Sequence, residues 1–358
     1  MEHLPTRIKD HLNTLIKYCI KPIYDEYIQK IRNVVGDNDV FFIVDETTDR
    51  MTNYVVNILV GVLNGYETKP MLLKVSFVEK TNNYTIGQSV MAACNVLWDN
   101  KTQYAKLKLM VTDQATYMLL AVSVMKQGSY QHLNHITCLA HAAHRVADTI
   151  REAFPKVNKF ISNMKKVLLK SKHRQQMFRT ETSLPLPPKA VITRWGTWLE
   201  ACFFYIDNFE KISSFIKTLK AKSAALEAVK KALQKPIVKN ELMMISNYRF
   251  VVSTIKKLEE QNLTSNEQRK ILEEMHVQLD GEFKEKLEFS LSRNPDLNKF
   301  LSTDLPFEEQ FKRKYAPLVS VEVERSFSVY KSFFRDNRSR FTHESIEHNM
   351  VISYNSFQ

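Results

Sequence analysis

An α+β fold, with a mixed sheet flanked by helices and interrupted by an all-helical insertion, is what the sequence predicts, on three observations. Three runs rich in β-branched and aromatic residues, Val40–Val44, Tyr54–Leu63 and Met71–Val78, follow one another across short turns. Two further apolar runs, Leu107–Thr112 and His135–Cys138, alternate with helical patterns. From 199 to 310 only helical periodicity remains. The 358-residue length also exceeds the roughly 250–300 residues at which one core stops growing.

Residues 1–36 form a helical lead-in. Leu12, Leu15, Ile16 and Cys19 share a stripe, Pro22 breaks or kinks the helix, and Ile23, Tyr27, Ile28 and Ile31 resume the pattern. The turn cluster Gly36-Asp37-Asn38-Asp39 opens the first part of the core, 37–198. Its first three strands are expected as an antiparallel meander, with Asn64-Gly65 as a strong turn pair. Helices over 85–98, 115–125 and 140–152 then alternate with strands 107–112 and 135–138, an order that a mixed sheet answers. After Pro155 the residues Val157, Phe160, Ile161, Met164, Val167 and Leu168 form one apolar helical face, with Lys159, Lys166 and Lys170 opposite. Leu184–Lys189 holds three prolines and reads as an extended connector. The helical insertion, 199–310, has breaks near Pro236 and Asn262. The last part of the core, 311–358, reads as two helices, the second starting at a Thr342 cap.

Composition narrows the class. Apolar residues make up 44% and charged residues 25% of the chain, which excludes a collagen-like or wholly disordered protein. No apolar run reaches the roughly 20 residues of a membrane span, so no membrane partner is expected. Charge in MEHLPTRIKDH, where a secretory signal needs an apolar stretch, makes an intracellular protein the expectation. The net charge of +12 favours a polyanion such as DNA. It is regional: Lys156–Lys189 carries nine Lys or Arg against one acid, and Ile255–Leu291 nine acids against six bases. A regional excess is what a phosphate-tracking face requires. Cys19, Cys94, Cys138 and Cys202 are dispersed without a CxxC pair, so disulfides and a four-cysteine zinc site are not expected.

Two carboxylates stand out. Asp45 ends an apolar run in VDETTD, and Asp113 ends another in VTDQAT. A carboxylate at a sheet edge beside a helix start can hold a cation without being sealed in apolar core. Two of them on neighbouring strands repel unless a cation neutralises them, and Mg²⁺ prefers such hard oxygen ligands. Either one alone reads equally as a helix cap, and periodicity does not establish that the strands are neighbours. Glu324, beside the stripe Val323, Phe327, Tyr330 and Phe334, is by pattern only a surface glutamate.

The segments VDETTD (44–49), VTDQATYM (111–118), CLAHAAHRV (138–146), TRWGTW (193–198) and VERSFSVY (323–330), in this order, resemble the hAT superfamily of DNA transposases. They are similar in particular to the transposase-derived group related to the CGG triplet repeat-binding protein. The resemblance spans roughly residues 4–355. It implies an RNase H-like domain interrupted by a helical insertion, with a DDE-type triad of catalytic, metal-binding acids: Asp45, Asp113 and Glu324. It implies Mg²⁺ or Mn²⁺ as the cofactor, with no organic cofactor and no zinc. The implied activity is DNA cleavage, hairpin formation and strand transfer, with DNA as the partner and the nucleus as the location; a homo-oligomer is left open by the sequence.

For DNA contact the resemblance points to Trp195, whose indole would stack on an extruded base, and to His141 near the scissile phosphate, while Arg194 beside the tryptophan and Arg325 are read from the residues as candidate DNA contacts. The residues alone leave a core tryptophan and a packed histidine open. Lys159, Lys166 and Lys170 are expected to track phosphates, and Lys331, Arg335, Arg338 and Arg340 suit either phosphates or solvent. No CxxC…HxxxH finger precedes Asp45, although active members of the family carry one. The alternative is therefore a domesticated or truncated relative that binds DNA or protein without turnover.

Overall fold

The computed structural model describes residues 19–49, 52–190, 196–220, 223–294, 296–333 and 342–356. The chain divides into two compact units, Met1–Leu139 with Gln261–Arg269 and Ser292–Gln358, and Ala140–Glu260 with Lys270–Leu291. Its elements begin with α1 (Lys21–Val35), β1 (Asp39–Thr48), β2 (Tyr54–Leu63), β3 (Met71–Val78), α2 (Asn83–Leu97), β4 (Leu107–Thr112), α3 (Thr116–Gln127) and β5 (Asn134–Thr137). Helices follow: α4 (Leu139–Ala153), α5 (Pro155–Leu169), α6 (Lys172–Thr182), α7 (Thr197–Asp207), α8 (Phe209–Thr218) and α9 (Ala224–Gln234). Then come α10 (Pro236–Ile245), α11 (Arg249–Leu258), α12 (Ser265–Gln278), α13 (Gly281–Ser292), α14 (Asp296–Phe300) and α15 (Phe307–Lys312). The last two are α16 (Val321–Phe333) and α17 (His343–Ser356). None of the described helices is long and apolar enough to cross a membrane.

The first unit is built on one mixed five-stranded sheet in the order β3-β2-β1-β4-β5. β1, β2 and β3 form the expected antiparallel meander, and β4 and β5 run parallel to β1. Val40 to Val44 of β1 and Val55 to Leu63 of β2 are buried throughout, because helices cover both faces of the sheet and leave no polar alternation. Gly61 of β2 faces Phe41 across the β1–β2 pairing, and a Cβ there would lie 2.1 Å from Phe41 Cζ. The missing side chain is what admits the ring.

β1 runs further than its apolar stretch, through Asp45–Thr48. β2 continues opposite it, pairing Thr48 with Tyr54, and the ladder holds polar residues that the hydrophobic pattern alone assigns to a loop. At the other end, Pro22 occupies the first turn of α1, where its missing N–H costs nothing, and Leu12, Leu15 and Ile16 of the expected preceding stripe lie outside the described residues. Tyr24, Ile28, Ile31 and Val35 form the buried stripe of α1, and Ile23 is exposed. Tyr24 rather than Ile23 faces inward because its ring stacks on His348 of α17, with centroids 4.1 Å apart. The Thr342 cap is present, its Oγ1 accepting the Ser345 N–H at 3.1 Å.

In the second unit every described element is a helix. Val157, Phe160, Ile161, Met164, Val167 and Leu168 of α5 are buried as one face, against which α9 and α10 pack. Lys159, Lys166 and Lys170 are exposed. Pro236 opens α10, and Asn262, with φ of +65°, marks the break after α11.

Candidate acidic site at the carboxyl ends of the central strands

β1 and β4 are adjacent and parallel, with Ile43 paired to Val111. Beyond this pairing Asp45 lies within the last part of β1, which runs on to Thr48, and Asp113 follows directly after the end of β4. Asp113 is not in the acidic group that gathers within 4.8 Å around Asp45. The carboxyl ends of parallel strands release their chains into loops, where functional groups gather. Asp45 is 5% exposed, and its Oδ1 accepts the Glu46 N–H at 2.8 Å. Asp113 is half-buried and its Oδ1 accepts the Ala115 N–H at 3.1 Å just before α3. It thus performs the cap-like role its position suggests without losing its second oxygen to that bond.

Glu324 arrives from the far end of the chain. The segment leading to α16 is tied to the residues just after β5 by one main-chain hydrogen bond and one to a cysteine side chain. The Leu139 N–H donates to the Leu318 carbonyl at 2.9 Å, and the Ser320 N–H donates to Cys138 Sγ at 3.1 Å. Gln268 Oε1 accepts the Leu318 N–H at 2.8 Å. The helix then crosses β1 and β2 with Val323, Ser326, Phe327 and Tyr330 buried beneath it. Two polar bonds fix its rotation: Asn57 Nδ2 donates to Ser326 Oγ at 2.7 Å, and Tyr330 donates to Asp49 Oδ2 at 2.9 Å.

Asn57 is paired with Asp45 across β1 and β2, so the Ser326 anchor lies beside the Asp45 position. Glu324, two residues before Ser326, is half-buried, and carboxylate oxygens of Glu324 and Asp45 lie within 4.8 Å of each other. The sheet and α16 thereby bring together two acids from opposite ends of the sequence. Like charges at that separation repel by roughly 1 kcal/mol in a water-like medium and by several times that when sheltered. A hard divalent cation is the species that an all-oxygen pair of this kind suits.

On the next residue of β1, Glu46 Oε1 accepts the Tyr117 hydroxyl at 2.6 Å, and among the described residues its buried Oε2 has no hydrogen-bond partner. Burial raises the phenol of Tyr117 well above its ordinary range, and Glu46, Asp113 and Asp45 add to the effect. Tyr117 therefore stays protonated and remains a donor at the edge of the acidic cluster. Arg325 is paired with Glu322, which also accepts the Tyr354 hydroxyl at 3.2 Å. This pairing turns Arg325 into part of the α16–α17 packing as well as a cation near the site.

Sequence reasoning missed Asn57, Ser326, Glu46 and Tyr117. Asn57 carried a usable signal as the lone polar side chain in the strand YVVNILVGVL, where an amide needs a buried partner. Nothing in the local pattern distinguishes Ser326.

His141 lies in the second unit, half-buried on the first turn of α4. Its neighbour His144 sits 3.3 Å from Asp148, and burial holds its pKa below the ordinary histidine value against the pull of that carboxylate. Arg194 and Trp195 lie outside the described residues, as do Arg335, Arg338 and Arg340. Compared with known proteins, the chain matches no family model and no curated protein.

Proposed function

We propose that this is an RNase H-like, hAT-type transposase-related protein that binds DNA and carries out Mg²⁺- or Mn²⁺-dependent strand cleavage and transfer in the nucleus. The observation that carries the reading is the approach of Asp45 and Glu324 to within 4.8 Å, from a central strand and a helix almost at the other end of the chain. Three antiparallel strands followed by two parallel ones, in the order β3-β2-β1-β4-β5, agree with the fold that the five sequence segments imply.

Asp45, Asp113 and Glu324 are the residues that would hold the cation. A divalent ion bound there supplies a lowered pKa for an attacking water or 3′-hydroxyl and stabilises the leaving oxygen. The chain's own task is positioning: β1 carries Asp45, the end of the adjacent β4 leads into Asp113, and the Asn57–Ser326 anchor sets the helix that carries Glu324. The exposed Lys159, Lys166 and Lys170 of α5 supply a phosphate-attracting face in the second unit.

The test is nicking of supercoiled plasmid DNA in Mg²⁺ or Mn²⁺. Wild type is expected to nick, and Asp45→Ala, Asp113→Ala and Glu324→Gln should each lose at least 100-fold in rate, on the scale of removing a group that stabilises transition-state charge. DNA affinity in gel shift should stay within a few-fold. Wild-type protein that binds DNA but never nicks it would support the domesticated, non-catalytic alternative instead.

A further inference from the structure

Between α3, β5 and the segment joining α13 to α14, within the first unit, lies a hollow of about 600 Å³ that the proposed chemistry does not use. Small-molecule sites span roughly 300–1,000 Å³, so its size is that of a metabolite pocket. Leu119, Ser123, Lys126 and Gln127 line it from one side of α3, where positions three and four apart share a face. β5 adds His135, and the segment reaching α14 adds Arg293 and Asp296. Two cations thus meet one acid among the described residues of the lining, and that acid is already engaged. Asp296 Oδ2 accepts the Lys126 ammonium at 2.5 Å and the His135 N–H at 2.8 Å. The ammonium has three donors, of which this bond takes one. His135 adds no charge at neutral pH, because burial lowers its pKa to about 4. Ser123 and Gln127, both exposed, add a hydroxyl and an amide beside the cations.

We propose that this hollow binds a small organic molecule through an oxyanion head, either a phosphate monoester or a carboxylate. Lys126 and Arg293 attract the head, Arg293 with the planar fork that pairs two oxygens at once. Ser123 and Gln127 donate to its remaining oxygens, and Leu119 meets the carbon body. The size of the cavity argues for an organic ligand, since a lone phosphate would fill only a small part of it. Its charge disfavours a duplex, which needs a row of cations along a face, whereas here two cations stand beside an acid in a concavity. Apart from the His135 imidazole, no aromatic ring lines it among the described residues, so a base finds no stacking platform.

Isothermal titration calorimetry of the full chain, freed of nucleic acid, tests this with glycerol 3-phosphate, succinate and inorganic phosphate at matched ionic strength. EDTA is present throughout, so that no divalent ion at the acidic site can hold the anion. One of the two organic probes is expected to bind saturably and one to one, with a Kd of about 1 mM or tighter, and inorganic phosphate at least tenfold more weakly. Arg293→Gln removes a cation, and Ser123→Asp sets a like charge against the head from an exposed helix position that leaves folding intact by circular dichroism. Each should weaken binding at least tenfold, while DNA affinity in gel shift stays within a few-fold. No saturable binding, binding of inorganic phosphate alone, or organic binding that both variants leave unchanged would overturn the assignment. So would a loss of DNA affinity in both variants by the same factor, which would give these cations to nucleic acid.

Discussion

The two ends of the sheet's parallel half handle buried charge in opposite ways. Beside β5, Asp296 accepts the Lys126 ammonium at 2.5 Å and the His135 N–H at 2.8 Å. Asn294 exchanges two hydrogen bonds with Thr137, accepting its N–H and donating to its carbonyl. The side chains just before and at the start of α14 thus pair the outer edge of β5, an edge that would otherwise present open main-chain groups. There the chain supplies its own counter-charge and donors. Near the carboxyl ends of β1 and β4 it instead brings a second acid, Glu324, toward Asp45. A carboxylate with an internal cation is architecture, and two carboxylates folded toward one another repel, a repulsion that a bound cation would relieve.

Breaking the balanced end should have the largest effect on stability. Asp296→Ala removes the partner of a part-buried Lys126 and the acceptor of a buried N–H. The expected loss is about 3 kcal/mol, as for a sheltered ion pair deprived of one member. Urea denaturation of the variant would measure it. Lys126→Met, which replaces the ammonium with an apolar chain of similar length, should cost less than Asp296→Ala, because Asp296 keeps the His135 N–H. Equal losses would mean that the ion pair, rather than the edge pairing, holds this end.

The balanced end should also respond to pH. Burial lowers the pKa of His135 from 6.5 to about 4, with Lys126 lowering it further and Asp296 opposing. Its Nε2 lies 2.9 Å from Thr112 Oγ1, so the neutral ring is hydrogen-bonded in place. Between those two values the unfolded chain binds a proton that the folded chain refuses. Stability contributed by the neutral ring is therefore complete above pH 6.5 and lost as pH falls toward 4. Between pH 7 and pH 5 the loss should be about 2 kcal/mol, from 1.36 kcal/mol per pKa unit. His135→Gln, compared with wild type in urea melts at both pH values, should flatten the difference, and an unchanged difference would reassign it to other groups.

The contrast also explains what could be read in advance. Strand positions were legible because β2 and its neighbours are apolar runs buried on both faces, and the ends of β2, β3 and β4 fall where hydrophobicity stops. β1 extended beyond its run because the reach of a ladder depends on its partner, which no window along one strand contains. Asp113 was legible as a strand-end acid, whereas Asp45, expected at a strand end, lies inside β1, which runs on to Thr48. Glu324 was a surface glutamate by pattern, and only the order of motifs pointed to it. Its approach to Asp45 depends on contacts such as Ser320 to Cys138 and Asn57 to Ser326, which join residues far apart in sequence and leave no periodic trace. The edge pairing by Asn294 and Asp296 had no forewarning for the same reason.

The smallest expected effect is the most pointed one for the unbalanced end. Glu324→Gln keeps the shape of the side chain and removes one of the two like charges. If the site is built for a cation, the variant in EDTA should be more stable than wild type, by about 1 kcal/mol, the order of repulsion between partly solvated charges at this separation. Adding 10 mM Mg²⁺ should raise the melting temperature of wild type, since a ligand that binds only the folded state stabilises it by mass action. The variant, with a weaker site, should respond less, so that the two melting curves approach or cross. Differential scanning fluorimetry in EDTA and in Mg²⁺ reads both effects without requiring turnover or DNA. A variant less stable than wild type in EDTA, with both indifferent to Mg²⁺, would make Glu324 an ordinary structural acid and bring this end of the sheet into line with the other.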